Sequence, residues 1–269
     1  MKILFVLPKL AAGGAELLVA QLCEHLKELG NDVKLICLHP SDVSYQNFPN
    51  KEFLDNQIQP IQITSTVIFK PFRKTRISNE EYKRIVDEYK PDVIHSNLYE
   101  SEFVAYSYIR NGTKYFSHTH DNMPRLKGFS LATLWNKRKF TDYYESCWLK
   151  KRYGLANANF ICISEDNKNA LQKNIGKGFS KITCLPNAID TAKFYSSNSK
   201  PAVFTITTTG NLVHNKGHLF LLEVARILML RGHRFKLQLL GYGELMNELL
   251  KKINEMELKD FVELKGTVT

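Results

Sequence analysis

The opening run Lys2-Ile3-Leu4-Phe5-Val6-Leu7 is short, apolar and rich in β formers, which reads as a strand covered on both faces within a parallel sheet. A Gly-containing loop over residues 8–14 leads into a segment where Leu18, Leu22, Leu26 and Leu29 recur at helical spacing, and Gly30 stops it. Residues 33–38 are the next strand. The alternation continues with helices expected over 78–90, 100–110, 130–153 and 165–174, and strands over 92–95, 114–118, 159–163 and 181–184. Parallel strands need helical crossovers, so this pattern specifies a doubly wound α/β sheet.

Residues 191–201 are polar and Ser-rich and end in a proline, as expected of a linker. A second series follows, with strands expected over 203–208, 235–240 and 261–264 and helices over 217–230 and 244–256. That is about half of a doubly wound domain. The chain of 269 residues is therefore divided into a complete Rossmann-like domain (1–190), a linker (191–201) and a partial Rossmann-like domain (202–269).

Lys and Arg outnumber Asp and Glu 37 to 27, a net charge of +10 shared by both parts of the chain. The excess favours anionic partners such as nucleotide phosphates or lipid head groups. Nucleic acid is a poorer fit, because no recognised binding motif accompanies the charge. Cys23, Cys37, Cys147, Cys162 and Cys184 are odd in number and have no C-x-x-C spacing, which argues against a disulfide framework or zinc finger and for a reducing cytoplasm. Pro8 and Lys9 cut the first apolar run too short for a signal peptide, and no run approaches the roughly 18 residues of a membrane span. The expected location is cytoplasmic, free or peripheral at the inner face of a membrane.

Ligands of open α/β sheets bind at the carboxyl ends of the strands, which singles out three loops. In Ala11-Ala12-Gly13-Gly14-Ala15-Glu16, Gly13 and Gly14 allow close backbone approach at a helix N-terminus suited to an anion, although G-x-G-x-x-G is not matched. In Ser117-His118-Thr119-His120-Asp121, the two histidines share one side of a strand; they could converge on a metal with His95, or one could act as acid, base or oxyanion partner beside Asp121. The third loop is Gly210-Asn211-Leu212-Val213-His214-Asn215-Lys216-Gly217, where a Gly after a strand and a Lys at a helix start can receive a diphosphate. Gly241-Tyr242-Gly243 repeats the theme one strand later. For each loop the alternative is an ordinary turn with solvated side chains.

Taken together, "MKILFVLPKLAAGGAE", "YFSHTHD", "FICISEDNKNAL", "KITCLPNAID", "TTTGNLVHNKGHLFLLEVARIL" and "KLQLLGYGELMNELL" resemble, in order and approximate spacing, the retaining nucleotide-sugar-dependent glycosyltransferases of GT-B fold, group one or family four. The resemblance implies a GT-B-like fold and sugar transfer from a nucleotide diphosphate sugar to a saccharide or lipid-linked acceptor, with retention, without a metal or other cofactor, in a setting such as bacterial surface polysaccharide synthesis. It places His120 at the reaction centre. It assigns the donor to Gly13, Gly14, Gly210, Asn211, Lys216, Gly241, Gly243, Gly266, Thr267 and Val268, with Lys216 neutralising the pyrophosphate and residues 266–268 meeting the base. Glu16, His95, His118, Asp121 and Asn187 are further cleft candidates, Asn187 in the interdomain hinge.

Three departures qualify the likeness. Asn211 stands where the family usually has Arg, and Ala188 follows Asn187 where Gly is common. The paired glutamates that hold the donor in the family would lie beyond residue 269, so the resemblance also admits a truncated, inactive remnant or a nucleotide- or sugar-binding module, self-associating through an open sheet edge. An NAD-dependent oxidoreductase would require the missing dinucleotide motif. Finally, residues 125–152 mix Arg125, Lys127, Lys137, Arg138, Lys139, Lys150, Lys151 and Arg152 with Phe129, Leu131, Trp135, Phe140, Tyr143, Tyr144 and Trp148. That composition suits an anionic membrane surface or a lipid-linked acceptor, against the alternative of a solvated helix with core aromatics.

Overall fold

The computed structural model describes residues 1–11, 13–39, 58–60, 79–126, 128–130, 133, 135–176, 178–179, 181–189, 191 and 202–267. They form two compact units, Met1–Ala188 and Ile189–Thr269. The linker expected over 191–201 lies almost entirely outside the described residues, as does Val268.

The first unit is built on strands β1 (Lys2–Leu7), β2 (Asp32–Cys37), β3 (Ile58–Pro60), β4 (Val93–Asn97), β5 (Lys114–Thr119), β6 (Asn159–Cys162) and β7 (Ile182–Cys184). They pair in the order β3-β2-β1-β4-β5-β6-β7, parallel throughout. The chain winds one way from β1 to β3 and the other way from β4 to β7, so the strand order reverses between β1 and β4. That reversal opens a crevice at the carboxyl ends of these two strands. Strand β3 was not among the strands expected from sequence.

β1 is continuous in apolar character because both of its faces are covered. Ile3, Phe5 and Leu7 pack with Val19, Ala20 and Cys23 of helix α1 (Gly14–Glu28). Leu4 and Val6 join Tyr82, Ile85 and Val86 of α2 (Glu80–Tyr89), together with Tyr106, Leu149 and Tyr153. Each such large side chain contributes roughly 1.5–3 kcal/mol by leaving water, and Phe5→Ala would cost about 3–5 kcal/mol because a cavity would remain. The leucine stripe read in α1 is only partly the buried one: Leu22 and Leu26 pack against this core, whereas Leu29 is 77% exposed.

Helix α3 (Tyr99–Ala105) follows β4 and is shorter than the expected 100–110. Helix α4 (Lys137–Ala156) starts later than the expected residue 130, because the Asn136 side chain accepts a hydrogen bond from the Lys139 amide, and it ends at Asn157 in the left-handed conformation. Helix α5 (Glu165–Ile175) is capped in the same way by Ser164.

The second unit contains β8 (Thr205–Thr209), α6 (His218–Leu230), β9 (Lys236–Leu240), α7 (Met246–Glu255) and β10 (Val262–Gly266). Its described strands make a parallel sheet in the order β10-β9-β8. Leu222, Ala225, Leu237, Leu239, Leu249 and Ile253 form its core. Gly217, expected inside the helix, is instead its N-cap with φ 70°.

Candidate functional site

In the first unit the polar residues gather where the strand order reverses. The β4–β5 register pairs Asn97 with His118, and the alternation of strands places His95, Asn97, His118 and His120 on the same side of the sheet. The rings of His95 and His118 stack with centroids 5.4 Å apart, and those of His118 and His120 at 4.3 Å. Near-parallel imidazoles send their in-plane lone pairs along separate lines, so the stack does not converge on one ion. Among the described residues, no group of three or more His, Cys, Asp or Glu is arranged to hold a metal.

Burial sets the charge of the stack. It holds the His95 imidazole down at about 3 and His118 at about 4, with neighbouring histidines pushing the same way. His120 is held at about 4 by burial, opposed by Asp121. All three rings are thus neutral at pH 7. Both ring nitrogens of His118 and Nε2 of His95 are buried without a hydrogen-bond partner. His120 is half-buried and is the member nearest the strand's carboxyl end.

His120 Nε2 lies 3.1 Å from Oδ1 of Asn97, a fully buried residue at the end of β4. The Asn97 amide nitrogen donates to the His95 carbonyl at 3.3 Å, which fixes which end of the amide faces His120. Nε2 of His120 must therefore carry the proton, leaving Nδ1 as the acceptor. Immediately after Asn97, Leu98 adopts φ 69° and ψ 154°, a region kept almost entirely for glycine and costing about 1–3 kcal/mol. Asn97 was not singled out from the sequence, since a lone Asn at a strand end carries no motif. The strained elbow behind it is visible only in three dimensions.

Asp121 is exposed and uses Oδ1 to accept from the Met123 amide at 2.7 Å, and its carbonyl accepts from Asn167 Nδ2. A cavity of about 300 Å³ opens beside it, lined by Pro8, Leu98, Tyr99, Glu100, Asp121, Met123, Pro124 and Arg125. Its lining comes from the carboxyl ends of β1, β4 and β5. Arg125 lies over the Tyr99 ring, 5.2 Å from its centroid, and Glu100 pairs with His39 at 2.6 Å.

At the β1 loop, Gly13 is the N-cap of α1 and Gly14 its first residue. The Glu16 carboxylate folds back over Gly13, where a Cβ would stand 2.1 Å from Glu16 Oε2. The Glu16 carboxylate thus lies close to the positive end of the α1 dipole. Asn187 is exposed, beyond β7.

In the second unit Gly210 and Gly241 directly follow β8 and β9, and Gly266 ends β10, with φ of 146°, 143° and 69°. The Gly210 amide donates to Leu240 O at 2.9 Å and the Gly241 amide to Gly266 O at 2.8 Å, so the three strand ends form one backbone ledge. Gly243 is pressed against the Leu212 backbone, where a Cβ would stand 2.5 Å from the Leu212 carbonyl oxygen. Lys216 lies in a 3-10 turn (His214–Lys216) just before α6, exposed and without an ion pair among the described residues. Asn211 is exposed and its carbonyl faces His218 Nε2 at 3.1 Å, while Thr267 is exposed at the end of the described chain.

The aromatic and basic stretch divides. Trp148 stacks on Phe103 at 5.8 Å, and Arg152 donates to the carbonyls of Tyr106 and Ser107 at 2.6 and 2.8 Å, so these two face inward. Trp135 is 91% exposed and Phe129 51%, with Arg138 and Lys139 exposed nearby in sequence. Lys127, Leu131 and the Lys137 side chain lie outside the described residues.

Two parallel Rossmann-like sheets, with polar groups and glycines at the carboxyl ends of their strands, define a GT-B-type α/β protein. Residues 12–193 match Glycosyltransferase Family 4, and the chain belongs to that family. Its fold is similar to a glycosyltransferase from Rickettsia africae ESF-5, with TM-score 0.68 and 17% identity, covering 100% of this chain and 68% of that one. It is also similar to a TarM variant from S. aureus solved with Fondaparinux, alpha-GlcNAc-glycerol and UDP, with TM-score 0.67 and 10% identity over 99% of this chain and 77% of that one. A third similar fold is the pneumococcal O-GlcNAc transferase GtfA solved with UDP and GlcNAc, with TM-score 0.65 and 13% identity over 100% of this chain and 76% of that one. In sequence, 110 residues are 29% identical to a phosphatidylinositol N-acetylglucosaminyltransferase polypeptide from Arabidopsis thaliana. That match spans 40% of this chain and a quarter (25%) of the relative's length.

Proposed function

We propose that the protein transfers a hexose-type sugar from a nucleoside diphosphate sugar to a saccharide or lipid-linked acceptor, with retention and without a metal. The observation that carries this reading is the neutral His120, held by Asn97 at the point where the strand order of the first unit reverses. A neutral imidazole with an acceptor nitrogen can take a hydrogen bond from a sugar hydroxyl, whereas an imidazolium would repel the positive charge that develops at the anomeric carbon. The ledge of Gly210, Gly241 and Gly266 offers backbone approach to a nucleotide, and Lys216 supplies the cation for the departing diphosphate. Two proteins of similar fold were crystallised with UDP, which makes a uridine nucleotide the first donor to test.

The acceptor is assigned to the first unit, where the cavity beside Asp121 lies. Exposed Trp135 and Phe129 beside Arg138 and Lys139 support docking on an anionic membrane, where a lipid-linked acceptor would be met. Among the described residues no helix is long and apolar enough to cross a membrane. The test is release of nucleoside diphosphate from a panel of UDP- and GDP-hexoses in the presence of EDTA, with the anomeric configuration of any product read by NMR. Turnover that needs magnesium, or an inverted product, overturns the mechanism, and no nucleotide binding at all overturns the assignment.

A further inference from the structure

Directly beneath the Asn97–His120 pair is a carboxylate that the proposed reaction does not use. Glu102, in the middle of α3, is fully buried. Ser96 Oγ donates to its Oε1 at 2.9 Å and Ser117 Oγ donates to its Oε2 at 2.8 Å. Ser96 is the residue before Asn97 on β4, and Ser117 the residue before His118 on β5. One carboxylate thus ties together the two strands that carry the contact. Behind Ser117, Tyr106 contributes a further hydroxyl contact at 2.8 Å, and the Ser96 hydroxyl also lies 3.2 Å from the Phe116 carbonyl. No cation pairs with Glu102 among the described residues. A buried carboxyl held by hydroxyls and unpaired with a cation is a poor device for stability.

Its position explains it better. Leu98, between Asn97 and α3, sits in a backbone region that favours glycine, and such a conformation persists only where its surroundings over-determine it. Ser101, next to Glu102, shares its hydroxyl between the carbonyls of Asn97 and Leu98. The elbow is therefore gripped from α3 at two successive residues, Ser101 on its carbonyls and Glu102 on the strand leading into it.

We propose that Glu102 is a positioning residue for His120: by fastening Ser96 to Ser117 it holds the Asn97–Leu98 elbow in place, and Asn97 then fixes His120 as the Nε2–H tautomer with Nδ1 turned to the ligand. The geometry stands independently of sugar transfer; the consequence for a sugar hydroxyl rests on the reading above.

The test is long-range ¹H–¹⁵N NMR of the full chain with ¹⁵N-labelled histidine, His120 being assigned by its loss in His120→Gln. The parent is expected to show His120 protonated at Nε2. Asn97→Ala and Glu102→Ala are each expected to lose that preference and give a mixture of tautomers, while Glu102→Gln retains it, because an amide can accept from one serine and donate to the other. Tryptophan fluorescence reports folding of the first unit. Should Glu102→Ala fail to fold, Ser96→Ala removes one of the two ties and is expected to weaken the preference. An Nδ1–H tautomer in the parent overturns the proposal, as does an unchanged tautomer ratio in a folded Glu102→Ala or Ser96→Ala chain. Since no turnover is measured, failure of the transferase reading would leave this result standing, and an unchanged tautomer ratio in the folded variants would leave that reading standing.

Discussion

A Cβ placed on Gly241 would stand 2.0 Å from the carbonyl oxygen of Gly210, the residue just after the neighbouring strand. Backbone meets backbone there, so no side-chain rotation can relieve the clash. Gly241→Ala should destabilise the second unit by on the order of 3 kcal/mol, counting both the clash and the φ of 143°. Hydrogen exchange at the Leu237 and Leu239 amides checks this: exchange as slow as in the parent would mean that the ledge adapts.

The same ledge leads to a binding prediction. Lys216→Ala should weaken UDP binding by roughly 1.5–3 kcal/mol, the range for one charge-assisted contact, with the same loss in EDTA. Isothermal calorimetry on parent and variant decides it. Equal affinities would remove Lys216 from the donor site.

The sheets were legible in the sequence because burial on both faces writes a continuous apolar run, as in β1, and because helices must intervene between parallel strands. The buried stripe of α1 was less legible. Its small residues Val19, Ala20 and Cys23 meet the sheet, while Leu29, in phase by spacing, lies at the C-cap and points to solvent. His120 was singled out because two histidines at a strand's end form a pattern. Asn97 and Glu102 were missed for the opposite reason: one is a common residue in a turn, the other a charge in a helix, and a helical charge usually faces water. A signal for Glu102 was nonetheless present, since it lies one turn before Ala105 and Tyr106 on the apolar side of α3.

His120→Ala should abolish transfer while costing little stability, because the ring is half-buried at a strand end and its described hydrogen bond is the one to Asn97. His118→Ala is a different experiment, since His118 is only 4% exposed and removing its ring would leave a gap between two stacked neighbours. The His118 variant should show the larger fall in urea midpoint and the His120 variant the larger fall in turnover. The reverse ranking would move the reaction centre.

Membrane docking predicts that the chain floats with vesicles containing phosphatidylglycerol and not with phosphatidylcholine alone, and that raised salt releases it. Trp135→Ala should reduce the bound fraction without changing the fold, since the indole is almost wholly exposed. Binding that ignores both salt and Trp135 would assign these residues to a solvated surface.

The buried carboxyl predicts an unusual stability profile. Burial pushes Glu102 up to about 7, the Ser117 and Ser96 hydroxyls pulling the other way. A carboxyl raised in the folded state keeps its proton after the unfolded chain has released one, so the fold loses stability as pH rises from about 4.5 to 7, by on the order of 3 kcal/mol in all. The buried histidines act in the opposite sense. Their depressed values of about 3 to 4 mean that the unfolded chain binds more protons between there and 6.5, so they add stability as pH rises through that window. The two trends overlap and partly cancel in the parent, which makes Glu102→Gln the informative comparison. Both tryptophans, Trp135 and Trp148, lie in the first unit, so their fluorescence during urea unfolding follows that unit alone. The Gln variant should gain stability relative to the parent as pH passes from 4.5 to 7, with the difference constant at higher pH. A difference that does not change with pH would show that folding leaves the Glu102 carboxyl at its ordinary value, its hydroxyl partners offsetting the cost of burial.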